Sequence, residues 1–279
     1  MIGAIIGDMV GSPYEFRPIK TKRFPLFSVE SCYTDDTLMT IAVGRALRRA
    51  ATEQTPFGEE TVRAMRRMGQ MYPSPKGGYG VSFSRWLQEP SAGPYGSYGN
   101  GAAMRASPCG EVAESLEQAL ALAKDSAEVT HNHPEGVKGA QAVAAAVFLA
   151  RQGATKDDIR GMIQAEFYPL RETVAQIRPG YVFDETCQGT VPQALTAFLE
   201  SESFEDALRN AVSLGGDCDT LTSITCAVAW PFYARAGMDA VMTAIGRQAL
   251  KRLPAALRRF VLDWEAHGAT EPQYRKMEE

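Results

Sequence analysis

Behind Pro134 the chain runs from Glu135 to Ala150 with almost nothing but small or apolar side chains, including Ala140, Ala142, Ala144, Ala145 and Ala146. Alanine is the strongest helix former, and a helix apolar nearly all round has to be buried on every face. The segment therefore predicts a central helix, and Gly153 is placed to stop it. Such a helix needs other helices around it, and the rest of the sequence supplies them. Residues 57–72 carry Val62, Met65, Met68 and Met71 on one helical face, after a start signal at Thr55-Pro56. Residues 112–129 are rich in Ala, Leu and Glu. Further helices are expected at about 155–166, 190–200, 203–213, 220–235, 237–249 and 254–266. Ser203 and Asp206 have the spacing of a capping box. The basic run Arg45 to Ala50 reads as the cationic last turn of a helix.

No convincing set of alternating strands is present, no Gly/Ser linker divides the chain, and no internal repeat recurs. The expected fold is all-α, one compact domain over residues 1–279. At 279 residues and 45% hydrophobic content, the chain can fill a large core. Its net charge is −4 and its Lys and Arg form no dense block, so charge gives no sign of a nucleic-acid partner. Cys32, Cys109, Cys187, Cys218 and Cys226 are odd in number and contain no CxxC pair. They read as small buried thiols rather than disulfides or zinc ligands. The opening Met1-Ile2-Gly3-Ala4-Ile5-Ile6-Gly7-Asp8 lacks a basic n-region, and Asp8 interrupts its apolar run. It is expected to be neither a signal peptide nor a membrane span, and a reducing, cytoplasmic setting fits best.

One long stretch, Pro73 to Gly101, looks irregular. It holds seven glycines together with Tyr79, Phe83, Trp86, Tyr95 and Tyr98. A loop of this length inside a helical domain points to function, and its aromatics argue for order. Glycines let backbone approach a ligand, and tyrosines offer faces for stacking.

The chemistry concentrates in two acidic clusters far apart in the chain, Thr34-Asp35-Asp36-Thr37 and Asp217-Cys218-Asp219-Thr220. Each precedes an apolar stretch, so each alone reads as a helix cap. Two of the same kind suggest two halves of one site, where the carboxylates would repel unless hard cations held them. Thr34, Asp35 and Asp36 supply one oxygen set, and Asp217, Asp219 and Thr220 the other. With no histidine in either, Mg²⁺ or Mn²⁺ is favoured over zinc. Gly215-Gly216 permits a close or left-handed approach. Glycines at 3, 7 and 11 form a smooth stripe for a neighbouring helix. Asp8, on the same segment, should be buried and partnered, orienting a metal ligand or bonding backbone. Glu15 is either a surface carboxylate or, if delivered to the metal site, a general acid or base. Gly96 to Arg105 is a glycine turn entering a helix, whose amides could cradle phosphate. His131 and His133 precede the central helix without further zinc ligands, so capping or ligand hydrogen bonding is expected.

Taken together, Gly7-Asp8…Gly11…Glu15, Thr34 to Thr37, Gly99 to Arg105, Thr130-His131 and Gly215 to Thr220 resemble the motifs of the ADP-ribosylglycohydrolase family, in the same order. The resemblance implies an all-helical fold with two Mg²⁺ (or Mn²⁺) ions. It implies Thr34, Asp35, Asp36, Asp217, Asp219 and Thr220 as metal ligands, with Ser97, Tyr98, Gly99, Asn100 and Gly101 lining the diphosphate and distal-ribose region. His131 would contact ADP-ribose, and Glu15 would match a mobile acidic residue near the metals. Glu15, Asp36 and Asp219 are the candidate catalytic groups. The implied reaction is hydrolysis of the bond from ribose C1″ to an acceptor on a protein or a small ADP-ribose conjugate. A nucleic-acid acceptor stays open, though charge does not favour it. A non-catalytic ADP-ribose binder is the alternative, and the complete ligand set with Glu15 argues against it. A phosphatase-like metal hydrolase lacks a supporting motif. Two features depart from the family pattern. The chain is short, and Leu221-Thr222-Ser223-Ile224-Thr225-Cys226 stands where a Gly/Ala-rich helix is common.

Overall fold

The computed structural model describes residues 1–269; the remainder of the expected domain, 270–279, lies outside the described residues. In chain order the helices are α1 (Ile2–Gly11), α2 (Asp35–Glu53), α3 (Phe57–Met71), α4 (Val81–Gln88), α5 (Gly101–Met104), α6 (Ser107–Val112), α7 (Leu116–Glu128) and α8 (Pro134–Gln152). They continue with α9 (Lys156–Glu166), α10 (Val174–Gly180), α11 (Cys187–Leu199), α12 (Phe204–Leu214), α13 (Cys218–Arg235), α14 (Ala240–Arg252) and α15 (Ala255–His267). Among the described residues the only extended pairing is two isolated bridges, Thr34 with Lys76 and Gly99 with Thr186. The fold is all-α. No described helix is long and apolar enough to cross a membrane.

The predicted small-residue helix is α8, stopped by Gly153 in the left-handed region; Ala142 to Phe148 are all buried, while Val137, Lys138 and Gln141 leave one face of its first half partly exposed. It shares the centre with α13, which packs on α1, α8, α11 and α12. Every residue of α13 from Cys218 to Ala229 is buried. The glycine stripe of α1 faces this helix. A Cβ at Gly7 would lie 2.2 Å from the Thr222 carbonyl oxygen, and one at Gly11 would lie 2.5 Å from that of Cys218. Backbone therefore meets backbone, because interaxial distance is set by the side chains at the contact. The polar run Thr222 to Thr225 survives burial partly because Thr225 donates to the Leu221 and Ala194 carbonyls. The five cysteines are free, four of them buried and Cys32 partly exposed.

Several local expectations change. Helix α4 interrupts the stretch read as irregular, burying Phe83 and Trp86 on one face. The helix expected over 112–129 is α7 and starts later, at Leu116, where Ser115 caps it through the Gln118 amide; Val112 instead ends the short helix α6 before it. Helix α10 was not anticipated; it starts at a true capping box, Thr173 with Gln176. Ser203 does accept from the Asp206 amide, but the Asp206 carboxylate turns to the Glu202 amide and to Lys22, so that box is incomplete. Helix α14 begins later than expected, where Asp239 caps the Met242 amide. The basic run at 45–50 lies before the end of α2, which continues to Glu53. Its Arg48 instead stacks on Phe260 and Trp264 of α15. On α3, Met65 and Met68 are buried while Met71 is exposed.

Candidate active site

The site is assembled where α1 ends and where α2 and α13 begin. Asp8, fully buried near the end of α1, accepts from the amides and hydroxyls of both Thr34 and Thr37. One carboxylate thus fixes the first turn of α2. The Thr34 hydroxyl spends its proton on Asp8 and accepts from the Asp36 amide at 3.2 Å. Burial raises the Asp8 pKa to about 6 against the lowering effect of those four donors. Asp8 is buried and partnered as expected, bonding backbone amides and the Thr34 and Thr37 hydroxyls.

The second cluster reaches the first through Thr220, whose hydroxyl donates to Asp36 Oδ1 at 3.3 Å. Gly215 and Gly216 both have positive φ, and a Cβ at Gly216 would meet the Tyr181 ring at 2.5 Å. Only glycine gives the chain this close approach without strain. Asp217 Oδ2 accepts from Asn100 Nδ2 at 2.7 Å, and Thr190 accepts from the same amide. Oxygens of Glu15, Asp217 and Asp219 lie within 4.8 Å of one another.

These carboxylates are poorly served by the protein. Asp36 Oδ2, Asp219 Oδ1 and Glu15 Oε2 are buried without a hydrogen-bond partner. Burial first, then the charge of Asp219, holds the Asp35 and Asp36 carboxyls well above the usual range; burial and Asp217 do the same to Asp219. Burial, then Asp219 and Asp8, push Glu15 up to about 8, against the opposing charge of Lys76. Asp217 rises to about 6 by burial, offset by the Asn100 bond. Buried, unpaired, mutually repelling oxygens are the donor set a hard divalent cation requires. The residues present fit such an ion.

The acids form one end of a cleft of about 510 Å³. Asp35, Asp36, Asp217, Asp219, Thr220 and Glu15 line it, as do Ser97, Gly99, Asn100, Gly101 and His131. Two expected residues stand apart from this lining. Thr34 is wholly buried behind Asp36, turned to Asp8. The Tyr98 ring is 48% exposed and packs on His133 outside the cleft wall. Its backbone explains this, because the Tyr98 carbonyl accepts from the Cys187 amide and the Asn100 amide donates to the Glu185 carbonyl. The Tyr98–Asn100 segment is thereby pinned to the start of α11, which aims Asn100 inward.

A hydrogen-bond chain sets His131. Buried Arg105 donates to the Gly101 and Ser126 carbonyls and to Thr130 Oγ1. Thr130 Oγ1, which accepts from Arg105, lies 2.7 Å from His131 Nδ1. A Thr130 hydroxyl that donates there leaves His131 as the Nε2–H tautomer. Its Nε2 would lie 3.3 Å from a Cβ at Gly101, so this N–H faces the glycine turn. Burial and the Arg105 charge hold the imidazole well below its ordinary pKa, neutral and ready to donate. His133, by contrast, caps α8 through the Glu135 amide. Sequence reasoning did not single out Arg105, Phe16, Phe183 or Glu185 as cleft residues. Only the pairing of Arg105 with the glycine turn carried any local signal.

The family model for ADP-ribosylglycohydrolase matches residues 1–267. The chain belongs to the ADP-ribosylglycohydrolase family, and it is a glycohydrolase enzyme. It is 28% identical to the ADP-ribosylhydrolase ARH3 of Homo sapiens, over 86% of this chain and 85% of that protein. It is 27% identical to the ADP-ribosylarginine hydrolase Tri1 of Pseudomonas putida (strain GB-1), over 85% of this chain and 70% of that protein. A solved structure described as an ADP-ribosylglycohydrolase-related protein complex superposes with a TM-score of 0.69 at 22% identity, covering 94% of this chain and 95% of the other. That likeness extends to the fold.

Proposed function

We propose that this enzyme hydrolyses the glycosidic bond between ADP-ribose and an acceptor, on a protein side chain or a small conjugate, and depends on divalent metal for doing so. The observation that carries the metal dependence is the trio of buried, partnerless oxygens on Glu15, Asp36 and Asp219 beside Asp217. Thr34, Asp35, Asp36, Asp217, Asp219 and Thr220 would hold two Mg²⁺ or Mn²⁺ ions. When bound, the ions supply positive charge that orients ribose hydroxyls and acidifies water.

The chain's own residues do the rest. The Ser97 to Gly101 turn presents backbone to the diphosphate, and His131 donates from Nε2 to a ligand oxygen. Asn100 holds Asp217 in place. Glu15 sits at the acid end of the cleft with its carboxylate against Gly77, where a Cβ would come within 3.1 Å of Oε2. In the reaction the C1″–acceptor bond breaks, the hydroxyl of water joins C1″, and the remaining water proton ends on the acceptor. Glu15 carries that proton, and Asp36 and Asp219 position the reacting sugar face. ARH3 and Tri1 are named as hydrolases of ADP-ribosyl groups, which supports the same substrate class here.

The test is release of ADP-ribose from arginine, serine and nucleic-acid conjugates with Mg²⁺ or Mn²⁺, repeated after chelation. Release that chelator abolishes is the expected result. Release unaffected by chelator removes the metal, and no release from any conjugate removes the hydrolase function.

A further inference from the structure

The loop that leads on from Glu15 is fastened along α12 by cations. Arg209 of α12 donates to the Lys22 and Phe24 carbonyls at 2.8 and 2.9 Å, and Lys22 in turn pairs with Asp206. Both ties engage the first two turns of the helix. Lys20 makes a different one at its end. The Lys20 ammonium donates to the carbonyl of Leu214, the last residue of α12, and to that of Tyr181, the residue after α10, both at 2.5 Å. The last carbonyls of a helix have no partner within it and carry the negative end of its dipole, so a cation is favoured there.

Each chain segment that meets at this ammonium leads into the cleft. Lys20 lies five residues beyond Glu15. Tyr181 lies four before Glu185, which lines the cleft and whose carbonyl accepts from the Asn100 amide. Leu214 lies three before Asp217, and the two residues between are Gly215 and Gly216, both of positive φ. Glycine gives the chain that path but is the residue least able to hold it, so what fixes the turn has to come from outside. The surroundings are close. A Cβ at Gly215 would lie 2.9 Å from Pro18 Cβ and 3.4 Å from Lys20 Nζ. The Tyr181 ring covers Gly216, and its hydroxyl donates to the Gly189 carbonyl in α11 at 2.9 Å. Phe16 and Phe183, from the two loops that Lys20 joins, stack with 6.3 Å between ring centroids.

Resting on the metal-dependent function proposed above, we infer that Lys20 is a positioning residue: its ammonium staples the Glu15 loop and the loop before α11 to the end of α12, and so holds the glycine turn that delivers Asp217 to the metal. Lys20 touches no reacting atom. Without it two carbonyls turn to water and the turn has more conformations to lose when Asp217 takes up an ion, which weakens binding by lost preorganisation.

The test compares wild type, Lys20→Met, Lys20→Arg and Lys22→Met by Mn²⁺ calorimetry and by hydrogen exchange of the metal-free proteins. Methionine keeps the apolar stem and removes the charge, while arginine keeps a cation with donors for both carbonyls. Lys22→Met cuts a tie of the same loop to the same helix without touching Leu214 or Tyr181. Lys20→Met should weaken Mn²⁺ binding about tenfold, the scale for losing an outer partner of a metal ligand. It should also speed exchange at the amides of residues 182–185 and 215–217. Lys20→Arg should recover most of the affinity, and Lys22→Met should bind Mn²⁺ as wild type does. Equal weakening by Lys20→Met and Lys22→Met would reduce Lys20 to general loop anchoring and overturn the assignment. Wild-type Mn²⁺ affinity in Lys20→Met overturns it too, whatever the exchange pattern. A wild-type protein that binds no Mn²⁺ sinks the metal dependence itself, and the role of Lys20 with it; that failure is told apart because it shows before any variant is made.

Discussion

At the start of α2, Thr34 does what a threonine does at a helix N-terminus: in extended conformation, its hydroxyl accepts from the Asp36 amide. At the start of α13, Asp217 occupies the same place and caps nothing. Its carboxylate turns instead to Asn100 and into the cleft. The first helix start is braced from behind by Asp8. The second has no such brace, and its path is set by two glycines of positive φ. Two nearly identical sequence clusters thus divide the work. One is a rigid abutment carrying Asp36, and the other is a turn whose side chains are left for a ligand. An acid at a helix start is favoured by the helix dipole. That benefit accounts for the position of Asp36 and Asp219 but not for oxygens buried without a partner.

The largest effect should follow from removing one of those oxygens. Asp219→Asn is expected to cut ADP-ribose release by roughly 10³-fold, the several kcal/mol a metal supplies to the transition state. The melting temperature of the metal-free variant should be no lower than that of wild type, because a repelling charge is gone. The rise in melting temperature on adding Mn²⁺ should vanish. A variant that melts well below wild type without metal would make Asp219 a structural acid and break the contrast. Asp8→Asn tests the abutment. An amide offers one acceptor oxygen where the carboxylate serves four donors, so buried donors at Thr34 and Thr37 go unmet. Urea unfolding of the metal-free protein should lose about 2 kcal/mol. Unchanged stability would show that α2 needs no brace.

The sequence carried the parts that depend on local spacing. Glycines four apart announced the backbone contact of α1 with α13, and alanines along 140–146 announced a buried helix. The paired Asp motifs announced a shared site. What it hid depends on chain pairing. Phe83 and Trp86 are spaced for a helix face, but glycines on both sides masked α4. Ser203 and Asp206 have the right spacing for a box, yet Lys22, from far along the chain, competes for the carboxylate. Phe16 and Phe183 are unremarkable singly and become a feature only when the fold stacks them. Tyr98 sits inside the glycine motif but is turned outward by the backbone bond to Cys187.

Smaller effects probe the second cluster. Asn100→Ala removes the donor that holds Asp217 and should weaken Mn²⁺ binding by about ten- to a hundredfold in calorimetry, the usual cost of losing an outer partner of a metal ligand. Undiminished affinity would mean that Gly215 and Gly216 alone aim Asp217. The finest comparison sets Thr34→Ala against Asp217→Ala in metal-free protein. Thr34→Ala deletes a working cap and should cost about 1–2 kcal/mol. Asp217→Ala deletes no cap and relieves repulsion with Asp219, Glu15 and Glu185, so its change should stay within about 0.5 kcal/mol. Denaturant titration of the pair decides the matter. Equal costs would mean that the two helix starts bear load alike, and that the Thr34 cap adds nothing that the Asp8 brace does not already supply.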